Sequence, residues 1–109
     1  SNYSMNAVAI PKDALFISIK SPEKTVFEGI VTGVSSFNDR GPFDILSEHE
    51  NFITIIKKKL VIYPLQKSAD PSTHSAGSGP NGKMEWEIDQ GVLKVRENKV
   101  NVFFGIETV

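Results

Sequence analysis

The sequence predicts an all-β domain, an antiparallel sandwich or barrel, and three observations carry that reading. No stretch of the 109 residues sustains the 3.6-residue apolar repeat of a helix. Short apolar runs recur instead with a period of two, the repeat of a strand with one face inward. Clusters of Gly, Pro, Asn and Asp punctuate these runs at short intervals, as they do in sandwiches and barrels. Hydrophobic residues make up 39% of the chain, enough for one modest core, and the length fits a single domain.

The elements follow in order. Residues 1–13 read as a tag remnant ahead of Met5 and a loose lead-in, and the domain proper spans 14–109. Between Ala14 and Lys20, Leu15, Ile17 and Ile19 alternate with Phe16 and Ser18, predicting a first strand. Ser21-Pro22-Glu23-Lys24 is a turn, because proline fixes φ and removes a donor. Residues 25–37 are rich in Val, Ile, Phe and Thr but are interrupted by Gly29 and Gly33, which predicts a long strand bent or bulged there. Asn38-Asp39-Arg40-Gly41-Pro42 is a polar turn, residues 43–46 are a short strand, and 47–51 form a compact loop that Ser47 could cap as one helical turn. Residues 52–56 and 60–63 read as two strands separated by a solvated turn at Lys57-Lys58-Lys59, since three like charges pair poorly inside a sheet.

Residues 65–83 are dominated by Ser, Gly, Pro, Asp, Asn and Thr and read as a long flexible loop, beyond the roughly 12–15 residues usual in compact domains. Met84, Trp86 and Ile88 then alternate with Glu85, Glu87 and Asp89, the cleanest half-buried strand in the chain. Gln90-Gly91 turns, residues 92–96 run back, and Glu97-Asn98 is a two-residue connection into the last strand, 99–104. The count is eight short strands.

Composition excludes several classes. With 12 basic against 13 acidic side chains, the net charge is −1, so the basic surplus of a nucleic-acid binder is missing. There is no cysteine, hence no disulfide frame and no thiolate zinc site. No apolar run approaches the about 20 residues that cross a bilayer as a helix, and no secretory leader pattern opens the chain. The expectation is a soluble protein whose membrane contact runs through partners.

Few residues suggest chemistry. Asp44, Glu48, His49 and Glu50 could be imagined as an acid–base or metal cluster, yet near neighbours in a chain do not all converge, and His74, the other histidine, lies in the 65–83 loop. Gly77, Gly79 and Gly82 lack the Gly-Lys-Ser/Thr ending of a phosphate loop. No catalytic, metal or cofactor site is predicted. Phe16, Val92 and Phe103 fall on the face opposite the core positions, where they would form either an apolar docking patch or further core. Lys57, Lys58 and Lys59 read as solvated charges rather than as a binding surface.

Three blocks in fixed order then point to a family. Ser21-Pro22-Glu23-Lys24-Thr25-Val26-Phe27-Glu28-Gly29 resembles the opening of the epsilon subunit of the proton-translocating (F-type) ATP synthase. The stretch Gly41-Pro42-Phe43-Asp44-Ile45-Leu46-Ser47-Glu48-His49-Glu50-Asn51-Phe52-Ile53-Thr54 resembles that family's histidine-bearing block. Gly91-Val92-Leu93-Lys94-Val95 followed by Asn98-Lys99-Val100-Asn101-Val102 is similar to its last one. The resemblance covers about residues 15–104.

It implies the family's N-terminal domain: a two-sheet antiparallel β-sandwich of about eight to ten short strands. It also implies a non-catalytic place in the central stalk, coupling the gamma subunit to the c-ring, peripheral to the inner or plasma membrane on the cytoplasmic side. By the same resemblance Asn38, Asp39, Arg40 and Pro42 face the ring, His49 lies near the gamma contact or else stabilises its loop, and Glu48 beside it faces gamma or the ring. Alone, the domain is expected to be a monomer. The family's C-terminal helical hairpin, which regulates ATP hydrolysis, is not expected in a chain that ends at Val109. Pro42 replaces the family's usual acidic residue, Asp44 stands where glycine is common, and the lysine triplet lacks the usual Pro-Gly turn. A stand-alone binding module that kept this domain but not the rotor contact is the alternative.

Overall fold

A computed structural model describes residues 9–65 and 82–105. Six strands follow one another: β1 (Leu15–Lys20), β2 (Thr25–Asn38), β3 (Gly41–Ile45), β4 (Phe52–Pro64), β5 (Met84–Arg96) and β6 (Lys99–Phe104). No α-helix occurs among the described residues. The all-β expectation holds, but the architecture differs from a two-sheet sandwich of eight to ten strands. One continuous sheet runs β1-β6-β5-β4-β2-β3, and a β1–β2 ladder joins its ends. Five strands therefore close into a barrel, and β3 attaches to β2 outside the ring.

The strand count fell short of expectation because two expected turns are bulges. Lys57-Lys58-Lys59 and Gln90-Gly91 lie opposite each other in the middle of β4 and β5. Between the pairs Ile56↔Gly91 and Lys58↔Ile88, β4 passes one residue and β5 passes two. The extra residue reverses which side chains face inward, because the side-chain period of a strand is two. Beyond it Leu93 and Val95 are buried; before it Met84, Trp86 and Ile88 pack on the core. Lys58 absorbs part of the kink with φ 73°. On its other edge β4 sets three residues, 58–60, against Ser36 alone, and the Ser36 hydroxyl donates to the Lys59 carbonyl at 2.7 Å. A local pattern reads such a reversal as two strands and a turn.

β2 serves three neighbours. Its first half pairs with β1, and its second half pairs with β4 on one edge and β3 on the other. Its register against β4 slips between Val31 and Gly33, at one of the two glycines expected to bend it. The β2–β3 connection is only Asp39-Arg40; Gly41 (φ 111°) and Pro42 already belong to β3. Proline is tolerated there because β3 is an edge strand with one unpaired side. Glu97 and Asn98 are both left-handed, with φ 52° and 64°, the conformation a two-residue hairpin requires.

One pair breaks the antiparallel rule: β1 and β6 run parallel from Phe16↔Lys99 to Lys20↔Phe103. Leu15, Ile17 and Ile19 from β1 meet Val100 and Val102 from β6, Leu93 and Val95 from β5, and Ile56, Leu60 and Ile62 from β4 in one buried cluster. Trp86 is half-buried at its margin, with ring centroids 6.4 Å from Phe27 and 6.2 Å from Phe104.

Candidate docking site

The site is assembled from a hairpin tip, a loop and the start of a strand. Asn38, Asp39 and Arg40 project from the β2–β3 tip, and Pro42, Phe43 and Asp44 follow on β3. His49 comes from the loop, and residues 52–55 open β4. Together they line an open groove of about 720 Å³. The amide of Asn38 donates to Thr54 Oγ1 at 3.1 Å and its carbonyl side accepts from the Arg40 N–H at 2.8 Å, so one residue both shapes the tip and ties it to β4. Lys57 Nζ meets Asp39 Oδ1 at 3.0 Å, with the Asp39 side chain 97% exposed; an ion pair this wet contributes little.

The groove wall is aromatic. Phe43 stands edge-on to Phe52 at 5.7 Å, and Phe52 stands edge-on to His49 at 5.5 Å, a spacing at which aromatic pairs attract. His49 Nδ1 lies 2.7 Å from the Glu50 carbonyl oxygen. A carbonyl can only accept, so Nδ1 carries a proton and donates it there. The loop is a β-turn rather than a helical turn: the His49 N–H donates to the Leu46 carbonyl at 3.2 Å, with Glu48 left-handed at φ 65°.

Of the six residues singled out in the sequence, Asn38, Asp39, Arg40, Pro42 and His49 line this one groove. Glu48 does not. It forms a clasp across the barrel end: its N–H donates to Asn98 Oδ1 at 2.7 Å, and Asn98 Nδ2 donates back to its carboxylate at 3.3 Å. The imagined acid–base cluster is thereby divided, with Asp44 and His49 at the groove and Glu48 elsewhere. Among the described residues no three His, Cys, Asp or Glu side chains converge to hold a metal. His74, Gly77 and Gly79 lie outside the described residues, as does most of the 65–83 loop. The three lysines are engaged separately: Lys57 with Asp39, Lys59 with Glu85 at 3.5 Å, and Lys58 over the Phe37 ring at 5.4 Å.

Two groove residues escaped the sequence reading. Ile53 and Ile55 are 66% and 52% exposed, in a run read from sequence only as a strand. Ile55 pairs with Val92 and Val92 with Phe103, so three apolar side chains form a row across β4, β5 and β6 on the outer surface. Two of the three residues considered for an outer apolar patch, Val92 and Phe103, are thus adjacent. Phe16 is separate, paired with Ile30 and Lys99.

No protein-family model and no curated protein matches the chain. Solved structures do. A chain of the Tetrahymena thermophila mitochondrial ATP synthase central stalk/c-ring structure superposes with a TM-score of 0.60 at 12% identity, over 89% of this chain and 66% of that one. A chain of the Euglena gracilis mitochondrial ATP synthase OSCP/F1/c-ring structure gives a TM-score of 0.65 at 14% identity, over 95% and 57%. The fold is therefore one found in ATP synthase assemblies, and the chain spans less than two thirds of the length of either neighbour.

Proposed function

We propose that the chain is the β-domain of an epsilon-like subunit in the central stalk of a rotary proton-translocating ATP synthase. In this reading it is not an enzyme. It transmits load between the gamma subunit and the c-ring, and it reaches the membrane only through that complex, on the cytoplasmic side. The observation that carries the proposal is a coincidence of two independent kinds: three sequence blocks in family order, and a fold shared with chains of two ATP synthase assemblies. The groove supports it. A rim of Asn38, Asp39 and Arg40 around Phe43, Phe52, Ile53 and Ile55 has the polar edge and apolar centre of a protein–protein contact.

Mechanical coupling follows from closure. Each strand of the ring shares ladders with two others, so a force on the hairpin tip is carried into β4 through Asn38–Thr54 and around the sheet. Co-expression of the chain with the gamma subunit of the same source tests the reading: a complex that survives size exclusion at micromolar protein is expected, and its absence overturns the proposal. A second reading, a stand-alone binding module, is favoured by one feature: exposed Pro42 stands where the family carries an acid beside the ring. That reading predicts failure of the same co-purification with the barrel still folded.

A further inference from the structure

Four stretches of strand have a ladder on one side only among the described residues: β3, the first part of β2 (25–29), which pairs with β1 alone, the first part of β5 (84–88), and the first part of β4 (52–56). β3 pairs with β2 alone. β5 meets β6 only from Gly91 onward. β4 meets β2 only from Lys57 onward, while its residues 52–56 pair with β5 on the opposite edge. Free edges recruit other strands, and proteins blunt them with charge or proline. Three of these edges are blunted. β3 carries Pro42 and Asp44, β2 carries Glu28, and β5 carries Glu85 and Glu87. The β4 edge reads Phe52-Ile53-Thr54-Ile55-Ile56, five residues with neither charge nor proline.

We propose that residues 52–56 of β4 accept an added strand, an extended segment of a partner polypeptide lying in the groove and pairing with the β4 backbone. A bare edge offers main-chain N–H and C=O groups, which only another extended backbone can satisfy in register. Side chains of alternate partner residues would lie beside Ile53 and Ile55, which share the outer face of β4 and are both exposed, so they are apolar. Those between are polar, with an acid favoured near Arg40, which lines the groove and forms no ion pair among the described residues. The proposal concerns backbone chemistry and stands whether or not the rotor reading holds.

The probe is a display library of random seven-residue peptides panned against the whole chain. Enrichment of peptides alternating apolar and polar residues is expected, with slowed amide exchange at residues 52–56 on binding. N-methylation of a selected peptide at successive positions should weaken binding about threefold to tenfold at every second amide and leave the others unchanged, since alternate amides point to the ladder. Ile55→Lys should abolish binding while preserving the thermal midpoint, and Leu46→Lys, at a side chain 60% exposed outside the groove, should leave both unchanged. Absence of enrichment, loss without that alternation, or binding indifferent to Ile55→Lys would overturn the proposal. So would a concentration-dependent dimer of the chain that Ile55→Lys dissolves, because the edge would then belong to a second copy.

Discussion

At Gly91 a missing Cβ decides whether two strands can touch. A methyl built there would lie 2.8 Å from the Phe103 carbonyl oxygen, and a backbone atom in a ladder cannot step aside. Gly91→Ala is expected to cost about 1–3 kcal/mol in urea unfolding. Gly29→Ala, whose nearest neighbour is the movable end of the Phe27 ring at 3.1 Å, is expected to cost less. Asn98 allows two effects to be separated. It holds a left-handed backbone and clasps Glu48. Asn98→Gly keeps the backbone and loses the clasp, at about 1 kcal/mol; Asn98→Ala loses both and should cost about 1–2 kcal/mol more. Equal losses in the two variants would mean that the turn carries no strain.

Among the elements, the β4–β5 bulge is where local pattern and tertiary structure part. β1, the alternation of Met84, Trp86 and Ile88, and the Glu97-Asn98 hairpin were legible because each is a short uniform period with its own turn chemistry. The bulge was not, since Lys57-Lys58-Lys59 and Gln90-Gly91 have the composition of turns and only the facing strand shows that the chain goes on. Ring closure through parallel β1 and β6 also left no local trace. Of the groove, the polar tip and His49 were legible from residue type, whereas Ile53 and Ile55 were hidden in a run that is apolar at every position but one. Deleting Gln90 tests the bulge: with one residue on each strand, Trp86 and Ile88 turn outward. Losing their partial burial should cost about 1.5–3 kcal/mol, with a red shift of Trp86 fluorescence. Ser36→Ala should cost about 1–3 kcal/mol by thermal unfolding, because it strands the Lys59 carbonyl beside a side chain only 2% exposed.

For the whole molecule, stability rests on the buried aliphatic cluster rather than on charge. The three ion pairs among the described residues all involve side chains at least 41% exposed, and such pairs are screened and weak. Raising sodium chloride from about 0.05 to 0.5 M should therefore move the thermal midpoint by less than about 3 °C; a fall of ten degrees would mean that electrostatics hold the barrel. One cluster spanning all five ring strands also predicts a single unfolding transition by Trp86 fluorescence and far-UV circular dichroism.

The side-by-side, same-direction pairing of β1 and β6 has a mechanical consequence. Tension applied where the chain enters β1 and where it leaves β6 pulls two neighbours lengthwise past each other. The five residue pairs between them must then slide together, whereas a hairpin pulled from its open end peels one rung at a time. Stretched by its ends, the domain should yield late and abruptly, like a glued lap joint rather than a zip fastener.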